Sequence, residues 1–121
     1  MRPLAQRKLL VVEDADTCAN MIELALDGLP GLQVERVASA EAGLDVLSGS
    51  NVVAIVTDMD LPGMSGLELA TCARHVPVVV VSATTDPDAE AKAIAAGASA
   101  FFAKPFSPSA IRRKMEELLK E

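Results

Sequence analysis

Four short apolar runs punctuate the chain, and each stops abruptly at a polar group. Residues 9–12 end in Glu13-Asp14, residues 52–56 in Thr57-Asp58, residues 78–81 in Ser82, and residues 100–103 in Lys104-Pro105. Runs of four or five apolar residues are too short to be core helices, and Val and Ile dominate the first three, so they read as buried strands. The longer segments between them carry apolar residues at helical spacing. Strands alternating with helices are the pattern of a parallel α/β sheet.

The elements follow in order. A first strand over residues 8–12 leads to a helix over 16–29, where Cys18, Met21, Ile22, Ala25 and Leu29 share one face and Gly28, Pro30 and Gly31 stop it. A second strand over 32–37 is interrupted by Glu35 and Arg36. Ser39 caps a short helix running to residue 47, with Gly49 ending it. The third strand covers 52–57. Beyond the Pro62-Gly63 turn, Ser65 and Glu68 form a capping-box signature that opens a third helix, closed before Pro77. The fourth strand covers 78–82, and Asp86-Pro87 reads as an N-cap followed by proline at the first position of a helix running toward Gly97. A short fifth strand spans 100–103. Ser107-Pro108 starts the last helix, with Ile111, Met115, Leu118 and Leu119 as its apolar stripe.

Continuous apolar runs suit central strands covered on both faces, and patchier or shorter ones suit edges. Strands one, three and four are continuous; strand two is patchier and strand five shorter. The expected sheet is therefore doubly wound and five-stranded in the order 2-1-3-4-5, with five helices. Right-handed crossovers then place a ligand site beyond the carboxyl ends of strands one and three, where the winding reverses. Glu13, Asp14 and Asp58 fall there.

At 121 residues this is one domain by size, with residues 1–7 expected as a loose tail and 8–121 as the folded unit. A net charge of -6, with no basic stripe, argues against direct nucleic-acid binding. Arg112-Arg113-Lys114 reads as the wet face of the last helix. No secretory signal or membrane-crossing run is recognisable, which points to a cytoplasmic protein without membrane partners. Cys18 and Cys72 have no metal-ligand spacing and no CxxC motif, and read as reduced, small core or semi-buried residues. His75 reads as a helix-terminal or surface residue.

Neighbouring strands lie about 4.8 Å apart, so carboxylates at the ends of strands one and three converge. Such carboxylates raise one another's pKa unless a cation neutralises them. Mg²⁺ fits, because it takes few carboxylates, a carbonyl and several waters. Lys104 adds an ammonium and Ser82 a hydroxyl. Metal, ammonium, hydroxyl and a nucleophilic carboxylate are the components of phosphoryl transfer, with Asp58 able to attack phosphorus and hold the group as an acyl phosphate. Pro105 orients the loop after the lysine, and a cis bond there would aim it.

Taken together, Glu13-Asp14, the stretch Asp58-Met59-Asp60-Leu61-Pro62-Gly63-Met64-Ser65-Gly66, Ser82-Ala83 and Lys104-Pro105-Phe106 resemble the receiver domain of bacterial two-component response regulators, in order and spacing, from Lys8 to the last helix. The resemblance implies that Asp58 accepts a phosphoryl group from a phosphohistidine on a sensor kinase or phosphotransfer protein. It implies that Asp14 binds Mg²⁺ directly, Glu13 through water, and the Asp60 backbone carbonyl as a further ligand. Lys104 would pair with the phosphoryl oxygens and Ser82 would move to bond one of them. Phe101 would turn inward as the aromatic switch, with Phe102 and Phe106 left to packing. Helix one would face the kinase. The face made by helix four, strand five and helix five would signal to a downstream protein or an output domain, and the resemblance leaves room for a phosphorylation-dependent homodimer. No output domain follows within these residues, so either a stand-alone regulator or a receiver cut from a longer chain is expected.

Three positions depart from the common receiver pattern. Asp60 adds a carboxylate two residues after the acceptor, helix three looks short, and Phe101 stands where many relatives have tyrosine. The rival reading is a haloacid-dehalogenase-type phosphotransferase, with Asp58 as nucleophile and Asp60 as general acid and base. Its acidic metal motif, however, should follow the lysine rather than precede it, and its core is larger than this chain.

Overall fold

The computed structural model describes residues 7–120. Five strands and five helices alternate: β1 (Arg7–Val12), α1 (Asp16–Leu26), β2 (Leu32–Val37), α2 (Ala40–Gly49), β3 (Asn51–Asp58), α3 (Gly66–Cys72), β4 (Val78–Ser82), α4 (Ala89–Ala95), β5 (Ala100–Ala103) and α5 (Pro108–Leu119). All strand pairings are parallel, and the order is β2-β1-β3-β4-β5 as expected. Of the expected tail, residues 1–6 lie outside the described residues, and Arg7 already belongs to β1.

The strand sequences explain the two-sided core. Side chains alternate across a sheet, so an all-apolar strand feeds both faces. Leu10, Val12, Ile55, Val78 and Val80 pack with Ala40, Leu69, Ala70, Ala73 and Ala93 from α2, α3 and the α4 side. Leu9, Val11, Ala54, Val56, Val79 and Val81 pack against Ile22, Leu26, Ile111 and Met115 from α1 and α5. Every residue of β4 is buried, whereas β2 and β5 are mostly half-buried, as edge strands should be.

Local capping follows the sequence in three places. Ser39 Oγ accepts from Ala42 N, and Ser107 Oγ accepts from Ala110 N ahead of Pro108. Ser65 and Glu68 close a reciprocal capping box, with Glu68 N donating to Ser65 Oγ at 3.1 Å and Ser65 N donating to Glu68 Oε1 at 3.2 Å. At seven residues α3 is short, as expected.

Several boundaries differ. Helix α1 ends at Leu26, because Gly28 adopts a left-handed φ of 81° and Pro30 disfavours helical geometry at Leu29. Leu29 is still buried, but from the turn. Met21 is 38% exposed rather than core-facing. The buried stripe of α1 is Ala19, Ile22, Ala25 and Leu26, and Met21 lies about 100° round the helix from Ile22. Helix α2 includes Gly49 as its last residue. Helix α4 begins at Ala89 rather than after Asp86, whose Oδ1 instead accepts from Asp88 N at 2.9 Å. An aspartate that satisfies the N–H two residues on forms a turn of its own, and Asp86-Pro87 is consumed in it.

Candidate functional site

The β1 and β3 carboxyl ends bring three acids together. Asp58 is the last residue of β3 and 6% exposed; Glu13, directly after β1, is fully buried; Asp14 is exposed at the loop rim. One carboxylate oxygen from each lies within 4.8 Å of the others. The register that achieves this pairs Val12 with Thr57, so both chains leave the sheet at the same level.

Lys104 enters from the end of β5. Its backbone N–H donates to Ser82 O at 2.8 Å, and its Nζ reaches Glu13 Oε1 at 2.9 Å and Asp58 Oδ2 at 3.4 Å. The Lys104–Pro105 peptide is cis. Ser82, fully buried at the end of β4, donates its hydroxyl to Asp60 Oδ2 at 3.1 Å and accepts from Thr84 N at 3.1 Å. Asp60 N in turn donates to Asp58 Oδ1 at 3.3 Å. Phe101 on β5 is half-buried against the α2–α3–α4 side of the core, and Phe102 and Phe106 pack on the α1–α5 side.

The loop after Asp58 is held by close backbone approach. Gly66 N donates to Met59 O at 3.1 Å, and a Cβ on Gly66 would overlap the Asp58 carbonyl. Gly63 turns the chain with a φ of 78°, and Glu41 Oε2 accepts from Met64 N at 3.2 Å. Asp58 is thus fixed from its own main chain outward.

The electrostatics show an under-neutralised acid cluster. Burial, reinforced by the Glu13 charge, pushes the Asp58 carboxyl up to about 6, with Lys104 opposing. Burial also acts against ionised Glu13, but hydrogen bonds from Lys104, the Cys18 thiol and Ala15 N–H outweigh it and hold Glu13 below its ordinary value. The Lys104 ammonium loses hydration on burial, yet Glu13 and Asp58 hold its pKa above the usual one. Cys18 is pushed up to about 11 by burial and then by Glu13, which leaves it an inert thiol. One lysine among three clustered acids leaves negative charge over, and an all-oxygen donor set at this spacing suits a hard divalent cation.

The structure therefore brings Glu13, Asp14, Asp58, Lys104, Ser82 and Asp60 into one cluster. A family model for the response regulator receiver domain matches residues 9–116. The chain belongs to the response regulator receiver family. Similar proteins include the chemotaxis protein CheY of Pseudomonas aeruginosa, 29% identical over 92% of this chain and 94% of that one. A CheY homologue of Campylobacter jejuni is 30% identical over 93% of this chain and 92% of its own. Among solved structures, one described as a response regulator from Chloroflexus aurantiacus superposes with a TM-score of 0.85 at 33% identity, covering 94% of this chain and 98% of that one. This receiver is thus a signalling domain of the two-component type, and the dehalogenase-type reading falls away. No helix among the described residues is long and apolar enough to cross a membrane.

Sequence reading missed two contacts of this receiver. The Asp60 carboxylate engages Ser82, which the one-dimensional spacing gave no means of seeing. Arg36, taken only as a polar interruption of β2, places Nε 3.1 Å and Nη2 2.9 Å from the Glu13 carbonyl. The expected neighbourhood of strands one and two beside an acidic loop was the available signal for it.

Proposed function

We propose that Asp58 is the phospho-acceptor of a Mg²⁺-dependent receiver, taking its phosphoryl group from a phosphohistidine on a sensor kinase or phosphotransfer protein. The observation that carries this reading is the convergence of Glu13, Asp14 and Asp58 within 4.8 Å, with Lys104 Nζ 3.4 Å from Asp58 Oδ2. Glu13, Asp14, Asp58 and the Asp60 carbonyl would hold the metal. When bound, Mg²⁺ supplies charge neutralisation for the carboxylates and the phosphoryl oxygens.

The chain's own groups do the rest. An Asp58 oxygen attacks phosphorus as the phosphorus–nitrogen bond to the donor imidazole breaks, which leaves an acyl phosphate on Asp58 and a free histidine. Lys104, positioned by its backbone bond to Ser82 O and charged throughout, balances the phosphoryl group. The added group brings about -1.5 to -2 charge and three acceptors, which compete with Asp60 for the Ser82 hydroxyl. Movement of Ser82 biases the segment after β4, and Phe101 on β5 turns inward with it. The domain in this reading catalyses only its own phosphorylation and dephosphorylation.

The partner reading has a physical correlate. A shallow apolar depression of about 260 Å³ borders Lys104, lined also by Ala15, Cys18, Met21, Pro105 and Phe106. Exposed Met21 on α1 makes it a suitable rest for a donor helix, while the α4–β5–α5 face serves output. The test is incubation of the chain with Mg²⁺ and a small acyl phosphodonor, followed by intact mass. Wild type should gain one phosphoryl group and Asp58→Asn none; an adduct that persists in Asp58→Asn would defeat the assignment.

A further inference from the structure

The entrance to α1 is poorly specified by its own sequence. Ala15 occupies the N-cap and has no side-chain oxygen to offer the first turn. The β1–α1 loop of Glu13, Asp14 and Ala15 must nevertheless present two carboxylates in fixed directions. Its internal support is a single bond, from Ala15 N to Glu13 Oε2 at 3.2 Å.

Arg36 supplies what the loop lacks. From β2 its guanidinium donates twice to the Glu13 main-chain carbonyl, Nε at 3.1 Å and Nη2 at 2.9 Å, and Nη1 donates to Asp16 Oδ1 at 2.9 Å. One planar fork therefore grips both residues that bracket Asp14-Ala15. The neighbouring backbone bond from Glu13 N to Val37 O at 3.0 Å fixes the same point from the strand. The Asp16 pair is largely in solvent, with the Asp16 side chain 84% exposed, so the bonds to the carbonyl of buried Glu13 carry most of the restraint.

We infer that Arg36 is a positioning residue for the acidic loop, holding the Glu13 carbonyl so that the Glu13 and Asp14 carboxylates converge with Asp58; the inference rests on the Mg²⁺ reading above. The Arg36 guanidinium forms no ion pair with the Glu13, Asp14 or Asp58 carboxylates; its partners are the Glu13 carbonyl and Asp16. Its two conceivable effects have opposite signs. As a positive charge beside a cation site it opposes Mg²⁺, so a purely electrostatic role predicts tighter binding once it is removed. As a clamp it favours Mg²⁺, so its removal loosens binding.

Calorimetric titration of Mg²⁺ into the full chain separates these. Arg36→Gln removes charge and fork; Arg36→Lys keeps the charge but replaces the planar fork with a point donor. Positioning predicts that both weaken Mg²⁺ binding, on the order of tenfold as for other residues that orient metal ligands. It also predicts faster hydrogen exchange at the Ala15 amide in metal-free Arg36→Lys, with protection in β3 and β4 unchanged. Tighter binding in Arg36→Gln with wild-type affinity in Arg36→Lys would overturn the inference. If wild type binds no Mg²⁺, the metal reading fails instead, and the Ala15 amide decides the clamp: unchanged exchange in Arg36→Lys refutes it.

Discussion

Ser82 Oγ lies 3.1 Å from Asp60 Oδ2, so the hydroxyl that the proposed phosphorylated state would draw on is already donated to a carboxylate. The same oxygen accepts from Thr84 N, which leaves the buried Ser82 hydroxyl satisfied on both sides. Phosphorylation of Asp58, as proposed, would break the Asp60 bond and bring an anion toward a second anion. Replacing Asp60 by Ala removes the competitor and the repulsion, at a gain of about 1 kcal/mol for one hydrogen bond of this kind. The phosphorylated form of Asp60→Ala should therefore persist several-fold longer than that of wild type. Phosphate release followed after removal of the donor measures this, and a shorter lifetime would contradict the role given to Asp60.

Asp58 carries a pH signature in the metal-free protein. Its folded carboxyl titrates near 6, above the ordinary value near 3.8. Between those values the folded state holds more protons than the unfolded state, so stability falls as pH rises through the window and stays lower above it. Glu13, whose pKa is lowered, acts in the opposite sense but only as pH drops through its ordinary value near 4.5. Urea unfolding without metal should thus show rising stability as pH is taken from 7 to 5. Asp58→Asn should lack that slope and be more stable than wild type at pH 7.5, by about 1–3 kcal/mol on the scale of one to two pKa units. Saturating Mg²⁺ should narrow the gap.

Gly66 is set by contact rather than by torsion. Any side chain there meets the Asp58 carbonyl, while the Gly66 amide is bonded to Met59 O. Gly66→Ala should destabilise the fold by roughly 1–3 kcal/mol, the range for overpacking a tight site. Because the displaced atom belongs to the main chain of Asp58, the proposed acceptor, phosphorylation should slow as well. Thermal unfolding and the rate of adduct formation, measured on one preparation, check both effects; a variant with wild-type stability and rate would show that the loop yields freely.

The parts of this fold that were legible in the sequence are those where one local rule dominates. Continuous Val-rich runs specify β3 and β4, and their ends specify which residues meet at the switch point. Ser65 with Glu68 specifies the start of α3, because each side chain satisfies the other's backbone. Where two local rules compete, sequence reading loses. Gly28 and Pro30 cut α1 before Leu29 although Leu29 remains apolar and buried. Asp86 forms its own turn instead of capping α4. Contacts across the sheet, such as Arg36 to Glu13 and Asp60 to Ser82, depend on side-chain direction at separations of more than twenty residues, which spacing alone does not encode.

In the proposed reaction Asp58 itself becomes the acyl phosphate, and reduction tests this at the level of the residue. An acyl phosphate on aspartate is cleaved by borohydride to leave homoserine, whereas free carboxylates are untouched. After incubation with Mg²⁺ and a phosphodonor, borohydride treatment and peptide mass spectrometry should find homoserine at position 58 and nowhere else, and none when Mg²⁺ is chelated. Homoserine at position 60 or 14 with Asp58 intact would contradict the account.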